Sequence, residues 1–137
     1  LLTGGLPPND PRLIGLLQEA SAVVLPSVSE TFGLVVLEAW AAGAVVLSSR
    51  TSGPSALIRH GENGWLFSLD QPQQFHGVLN VALTDATLTH SMANRGSRVS
   101  QEYSLGALAA RLKNVYEQLI EEKQCAKSSC VTTIQTR

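Results

Sequence analysis

Two glutamates, Glu30 and Glu38, stand eight positions apart in the stretch "PSVSETFGLVVLEAWAAG", Pro26 to Gly43. An ionised carboxylate is an acceptor-only group that can grip ligand hydroxyls or close an ion pair with a basic side chain. Glu38 is the lone charge in an apolar run. On the solvent face of a helix, polar residues should recur at spacings of three and four, yet Leu34, Val35, Ala41 and Ala42 at those spacings are all apolar or small. The pattern therefore predicts a helix covered on its sides. A carboxylate there needs a partner, and it finds one either in a ligand cleft or in a structural ion pair. On the pattern alone the two readings stand level.

The elements that must carry these residues are legible from punctuation and hydropathy. "AVVLPS" and "GAVVLSS" are short, β-branched and free of polar alternation, as strands covered on both faces are. Between them, "TFGLVVLEAWAAG" has the length of a crossover helix and ends at Gly43, placed for a left-handed C-cap. Strand, helix, strand makes a right-handed βαβ unit. Upstream, "PPNDPRLIGLLQEAS" offers Asn9 or Asp10 as N-cap, Pro11 as first helical residue, and Leu13, Leu16 and Leu17 at helical spacing. "LLT" reads as the end of an earlier strand. Downstream, "SGPSALIRHGENG" reads as a loop, a short helix begun by Pro54 and a turn through Asn63 and Gly64, and "WLF" as a last short strand. Three amphipathic helices follow, the last capped by Ser104. The fold class is α/β: a Rossmann-like parallel sheet with flanking helices spanning residues 1–123. Past Lys123 the pattern stops, and 124–137 reads as a disordered tail.

This topology puts Glu30 in the loop between the end of a parallel strand and the next helix. In open α/β sheets that carboxyl edge is where ligands bind. Thr31, Phe32 and Gly33 share the loop, so the first free N–H groups of the helix should face a cleft, where the helix dipole favours an anion. Gly33 lets backbone approach a ligand closely, although an ordinary tight turn would use it too. Carboxylates for hydroxyls and amides for phosphate suit one kind of ligand, a nucleoside diphosphate sugar.

The stretch "PSVSETFGLVVLEAWAAGAVVLSS", with "SGPSALIRHGENGWLF" after it, resembles the C-terminal, donor-binding domain of the retaining group 1 glycosyltransferases, built from two facing Rossmann-like domains in the GT-B architecture. The resemblance runs from about Thr3 to Glu122, and its core is the glutamate pair with seven residues between. It implies that Glu30 contacts donor-sugar hydroxyls and orients the sugar, and that Glu38 accepts the ribose hydroxyls. It also implies backbone contacts from Phe32, Gly33 and Leu34 to sugar and diphosphate, with Thr31 in the same loop. The implied reaction transfers a hexosyl group to an acceptor hydroxyl with retention of configuration. No metal or resident cofactor is implied.

Departures bound the resemblance. The family's basic phosphate-clamping residues belong to a region that precedes Leu1, and the N-terminal acceptor-binding domain is absent from this chain. The chain alone is therefore expected to be inactive. The family's glutamate after the Gly-Pro-like turn is replaced by Ala56, and its tryptophan near the start of the last helix by Leu105, read as a packing change. Arg50, Arg59 and His60 read as solvated loop residues, His76 and His90 as helix-face residues without ligand spacing for a metal, and Trp40 and Trp65 as core. Ser27 reads as a turn or capping residue that could also touch ligand.

Composition excludes several other classes. With 137 residues, 44% apolar and 15% charged, the chain suffices for one compact domain. A formal net charge of −1 with scattered basic residues argues against nucleic acid. The longest apolar run, Leu34 to Leu47, is shorter than the roughly 20 residues of a membrane helix, and Glu38 interrupts it. The start "LLTGGLPPND" lacks the form of a signal peptide and reads as a cut inside a fold. Cys125 and Cys130 read as incidental thiols. The cytoplasm is the expected compartment, with its membrane face as the alternative. A non-catalytic nucleotide-sugar-binding or regulatory module is the competing function.

Overall fold

The computed structural model describes residues 5–7 and 10–134, with side chains as far as residue 124. The chain divides into two compact units, 1–101 and 102–137. Leu1–Thr3, expected as the end of a strand, and Asn9, expected as a possible N-cap, lie outside the described residues, as do the side chains of Cys125 and Cys130.

The first unit is built on three parallel strands, β1 (Val23–Leu25), β2 (Val46–Ser49) and β3 (Trp65–Phe67), ordered β1-β2-β3. Val24 pairs with Leu47, and Leu47 with Trp65. β2 and β3 are buried throughout, which accounts for their unbroken apolar runs, while β1 is half-buried.

Helix α1 (Pro11–Glu19) begins as its sequence dictates. The Asp10 side chain accepts from the Arg12 amide at 2.8 Å and from the Arg12 guanidinium at 2.7 Å, with Pro11 in the first turn. The guanidinium first, and then the amide, hold the Asp10 carboxyl below its ordinary 3.8. A pKa lowered by folding gives stability that is complete above the unfolded value and is lost as pH falls through the folded one. Asp10→Asn should therefore lower the thermal midpoint at neutral pH, and the gap from wild type should close below pH 3.8. Thermal scans across that range check this.

Helix α2 (Leu34–Ala41) follows β1 and buries Val36, Ala39 and Trp40. Its end is a complete Schellman motif: Gly43, at φ 89°, donates to the Trp40 carbonyl at 3.1 Å, and Ala44 to the Ala39 carbonyl at 2.9 Å. Helix α3 (Ser52–Leu57) starts two residues before Pro54, because proline is tolerated within a first turn where no amide needs an intrahelical acceptor. The turn into β3 also differs in detail from its sequence reading. Gly61 takes the left-handed conformation, whereas Asn63 is buried, accepting from the Arg59 amide at 2.8 Å and donating to the Leu57 carbonyl at 3.2 Å. His60 is exposed, yet its Nδ1 accepts from the Leu66 amide at 3.0 Å. It is more than a solvated loop residue.

Helices α4 (Pro72–Thr84) and α5 (Ala86–Glu102) close the core. Val45, Leu47, Trp65 and Phe67 pack with Ala82, Met92 and Ala93, and the Phe67 and Phe75 rings lie 4.9 Å apart. His76 and His90 are exposed on these helices, and Trp40 and Trp65 are core residues, as the sequence indicates. The second unit is helix α6 (Leu105–Ile134), whose Ala107 amide donates to Ser104 Oγ at 3.3 Å. Its backbone stays helical across the stretch in which the sequence shows no further pattern. Leu105 is 86% exposed, so its replacement of an aromatic is not a packing exchange.

Candidate functional site

The β1–α2 connection places Glu30 at the carboxyl end of β1, half-buried, with Thr31 and Phe32 exposed and Gly33 buried beside it. Gly33 is the N-cap of α2 at φ 88°, a conformation that strains any residue with a Cβ. The Glu30 carboxylate turns back on this turn. Its Oε1 accepts from the Gly33 amide at 3.1 Å and the Phe32 amide at 3.4 Å. Two of the amides expected to meet a ligand are thus engaged by the loop's own carboxylate, which sits where the positive end of the helix dipole attracts an anion. The amide of Leu34 follows in the first turn, where no intrahelical acceptor is available.

Glu38 is the fifth residue of α2, about 6 Å further along the helix axis. It is exposed, which corrects the expectation of a helix covered on its sides. Leu34 is 62% and Val35 40% exposed, so the outer face of α2 is apolar and uncovered, and Glu38 belongs to it. There it lines a groove of about 270 Å³ between α1 and α2, with Leu13, Leu17 and Gln18 on one wall and Ala41 on the other. The polar companion of Glu38 is Gln18, and the remaining lining is aliphatic.

The sequence reading missed the residues that hold this loop. Ser49 Oγ donates to the Ser27 carbonyl at 2.5 Å, while Ser52 Oγ and the Gly53 amide donate to the Glu30 carbonyl at 3.0 and 2.9 Å. Ser27 therefore acts through its backbone. The available signal was the run of small hydroxyl residues in "LSSRTSG" ending a buried strand, where hydroxyls must find carbonyls. Among the described residues no cluster of three or more His, Cys, Asp or Glu is placed to hold a metal ion.

Residues 2–99 match the family described as group 1 glycosyl transferases. The chain belongs to that family. Among curated relatives of these glycosyltransferases, the D-inositol 3-phosphate glycosyltransferase of Jonesia denitrificans is 35% identical over 113 residues, covering 82% of this chain and 27% of that protein. The chain thus spans about a quarter of the length of such relatives. Among solved structures, Anabaena HepE in complex with UDP superposes with a TM-score of 0.69 at 24% identity, over 75% of this chain and 29% of that one. The C-terminal domain of the group 1 protein LpcC from Francisella tularensis superposes with a TM-score of 0.65 at 25% identity, over 74% of this chain and 52% of that one. These likenesses identify the parallel sheet and its helices as part of a GT-B C-terminal domain.

Proposed function

We propose that this chain is the donor-binding half of a retaining hexosyltransferase, which moves a hexosyl group from a nucleoside diphosphate sugar to an acceptor hydroxyl. One observation carries the reading: the Glu30 carboxylate and the first turn of α2 converge at the carboxyl end of β1, with Glu38 in a groove on the same helix. Glu38 accepts the ribose hydroxyls, beside aliphatic walls suited to the faces of a nucleoside. Glu30 orients the sugar, and Thr31 lies next to it in the loop. The amides of Phe32, Gly33 and Leu34 face the sugar and diphosphate. As the glycosidic bond breaks, negative charge grows on the departing phosphate, where amides already fixed at a helix N-terminus stabilise it without reorganising. The donor is the substrate, and no metal or resident cofactor enters the proposal.

The acceptor is read by the N-terminal domain that this chain lacks, and the named relatives make inositol phosphates the first acceptors to try. The same holds for the donor: HepE has been seen with UDP-glucose, which joins GDP-mannose and ADP-glucose in the panel. The cytoplasm is the proposed compartment. Among the described residues no helix is long and apolar enough to cross a membrane. The test is calorimetry and turnover of the full-length parent with that panel, followed by proton NMR of the product. We expect one donor to bind and react, with the anomeric configuration of the donor retained. Inversion overturns the stereochemistry, binding without turnover establishes the non-catalytic module, and no binding at all removes the donor site.

A further inference from the structure

The loop that carries Glu30 is clasped from across the sheet. Its main chain meets the last residue of β2 and the start of α3, and neither belongs to the glutamate motif. At one, Ser49 Oγ bonds the Ser27 carbonyl at 2.5 Å. At the other, Ser52 Oγ and the Gly53 amide both bond the Glu30 carbonyl, at 3.0 and 2.9 Å. The third element is steric. A Cβ on Gly53 would lie 2.5 Å from C, 2.6 Å from N and 2.7 Å from Cα of Phe32, so the Phe32 backbone rests directly on Gly53. Glu30 is therefore gripped twice, its carbonyl by Ser52 and Gly53 and its carboxylate by the amides of Phe32 and Gly33.

We propose that Ser52 and Gly53 are positioning residues for the donor sugar, fixing the Glu30 backbone so that the carboxylate can leave the amides and still meet the sugar hydroxyls in register. This rests on the reading of Glu30 as the sugar-binding carboxylate. The carboxylate has only its own rotamers to move when the amides turn to a ligand, because the main chain beneath it is anchored to the β2–α3 segment. Without the clasp, the backbone and the side chain would relax together and the sugar contact would lose its geometry. The nucleotide end, at Glu38 inside α2, is not part of the clasp. Ser52 thus distinguishes sugar from nucleotide.

The test uses the full-length parent with Ser52→Ala and Ser52→Thr. Calorimetry compares UDP-glucose with UDP and GDP-mannose with GDP, and amide hydrogen exchange is followed at Phe32 and Gly33 without ligand. Ser52→Ala should weaken the bound nucleotide sugar about fivefold, the worth of one hydrogen bond, weaken its nucleoside diphosphate by clearly less, and speed exchange at both amides by a similar factor. Ser52→Thr keeps the hydroxyl and should restore all three. An equal loss for sugar and nucleotide, or a sugar affinity that does not move, overturns the proposal. Unchanged exchange with intact donor binding removes the clasp and leaves the donor site standing. A wild-type parent that binds neither donor removes the donor reading itself, and with it the role assigned to Ser52, whatever the exchange rates show.

Discussion

Gly96→Ala is expected to destabilise the first unit by about 2–3 kcal/mol, the scale of overpacking a filled core. Helix propensity argues the other way, since alanine is favoured over glycine inside a helix by about 1 kcal/mol. Packing decides the sign. Trp40, from α2, is fully buried, and a methyl on Gly96 would fall inside contact distance of its Cδ1 and Nε1 and 2.7 Å from its Cε2. The contact is with the five-membered ring of a large side chain buried in the core, not with a flexible tip that could swing away. Trp40 Nε1 finds no acceptor among the described residues, so the indole is held by burial and shape alone. Gly77, inside α4, is the control: nothing lies within 4 Å of a Cβ there, so Gly77→Ala should stabilise by about 0.5–1 kcal/mol. Denaturant unfolding of the two variants checks both signs. A stabilised Gly96→Ala would mean that α5 and α2 separate more easily than their packing indicates.

The part of the fold legible in the sequence is the part written in local chemistry. Asp10, Pro11 and Arg12 are consecutive, and Ala39, Trp40, Gly43 and Ala44 at the end of α2 lie within five positions of one another. Each group closes its hydrogen bonds among near neighbours, so a start and a stop could be read directly. The strands were legible because a strand covered on both faces has no polar positions at which to alternate. Glu38 shows where that logic fails. An apolar outer face on an eight-residue helix has the same pattern as a buried one, and only the neighbouring elements decide which it is. The pattern found a special carboxylate for a reason the structure does not support, and the groove against α1 supplies a different one.

The site was legible in its types and not in its contacts. Serine and glycine at positions 49, 52 and 53 act on residues 21 to 23 positions away, through bonds to main-chain carbonyls that any residue at Ser27 or Glu30 would offer. No spacing rule marks such pairs, because the register of β1 on β2 brings them together. The engagement of Glu30 by Phe32 and Gly33 is local, two and three residues apart, yet the sequence reading gave this glutamate a ligand role and no cap. A carboxylate accepts from an amide as it does from a hydroxyl, so residue type alone could not separate a cap from a ligand contact. On the proposed function they are successive uses of one side chain, the cap without donor and the sugar contact with it.

That duality sets the largest expected effect on activity. In the full-length parent, Glu30→Ala should lower transfer roughly 100-fold, the scale of losing a positioning contact at the reacting sugar. The same variant should bind the free nucleoside diphosphate as well as wild type, or tighter by about two- to fivefold, because a carboxylate no longer competes with phosphate for the amides of Phe32 and Gly33. Glu38→Ala should behave oppositely, weakening nucleoside diphosphate and nucleotide sugar alike, since the proposed function gives the groove beside it to the nucleotide end. Glu30→Gln should fall between, keeping an oxygen for the Gly33 amide while losing the charge that holds sugar hydroxyls most strongly. Turnover and calorimetry on the three variants separate the two ends of the donor. If Glu30→Ala weakened the nucleoside diphosphate as much as the sugar, the carboxylate would be holding α2 in shape and nothing more. If Glu38→Ala spared the nucleotide, the groove against α1 would not be its seat, and the lone charge on α2 would lose its ligand.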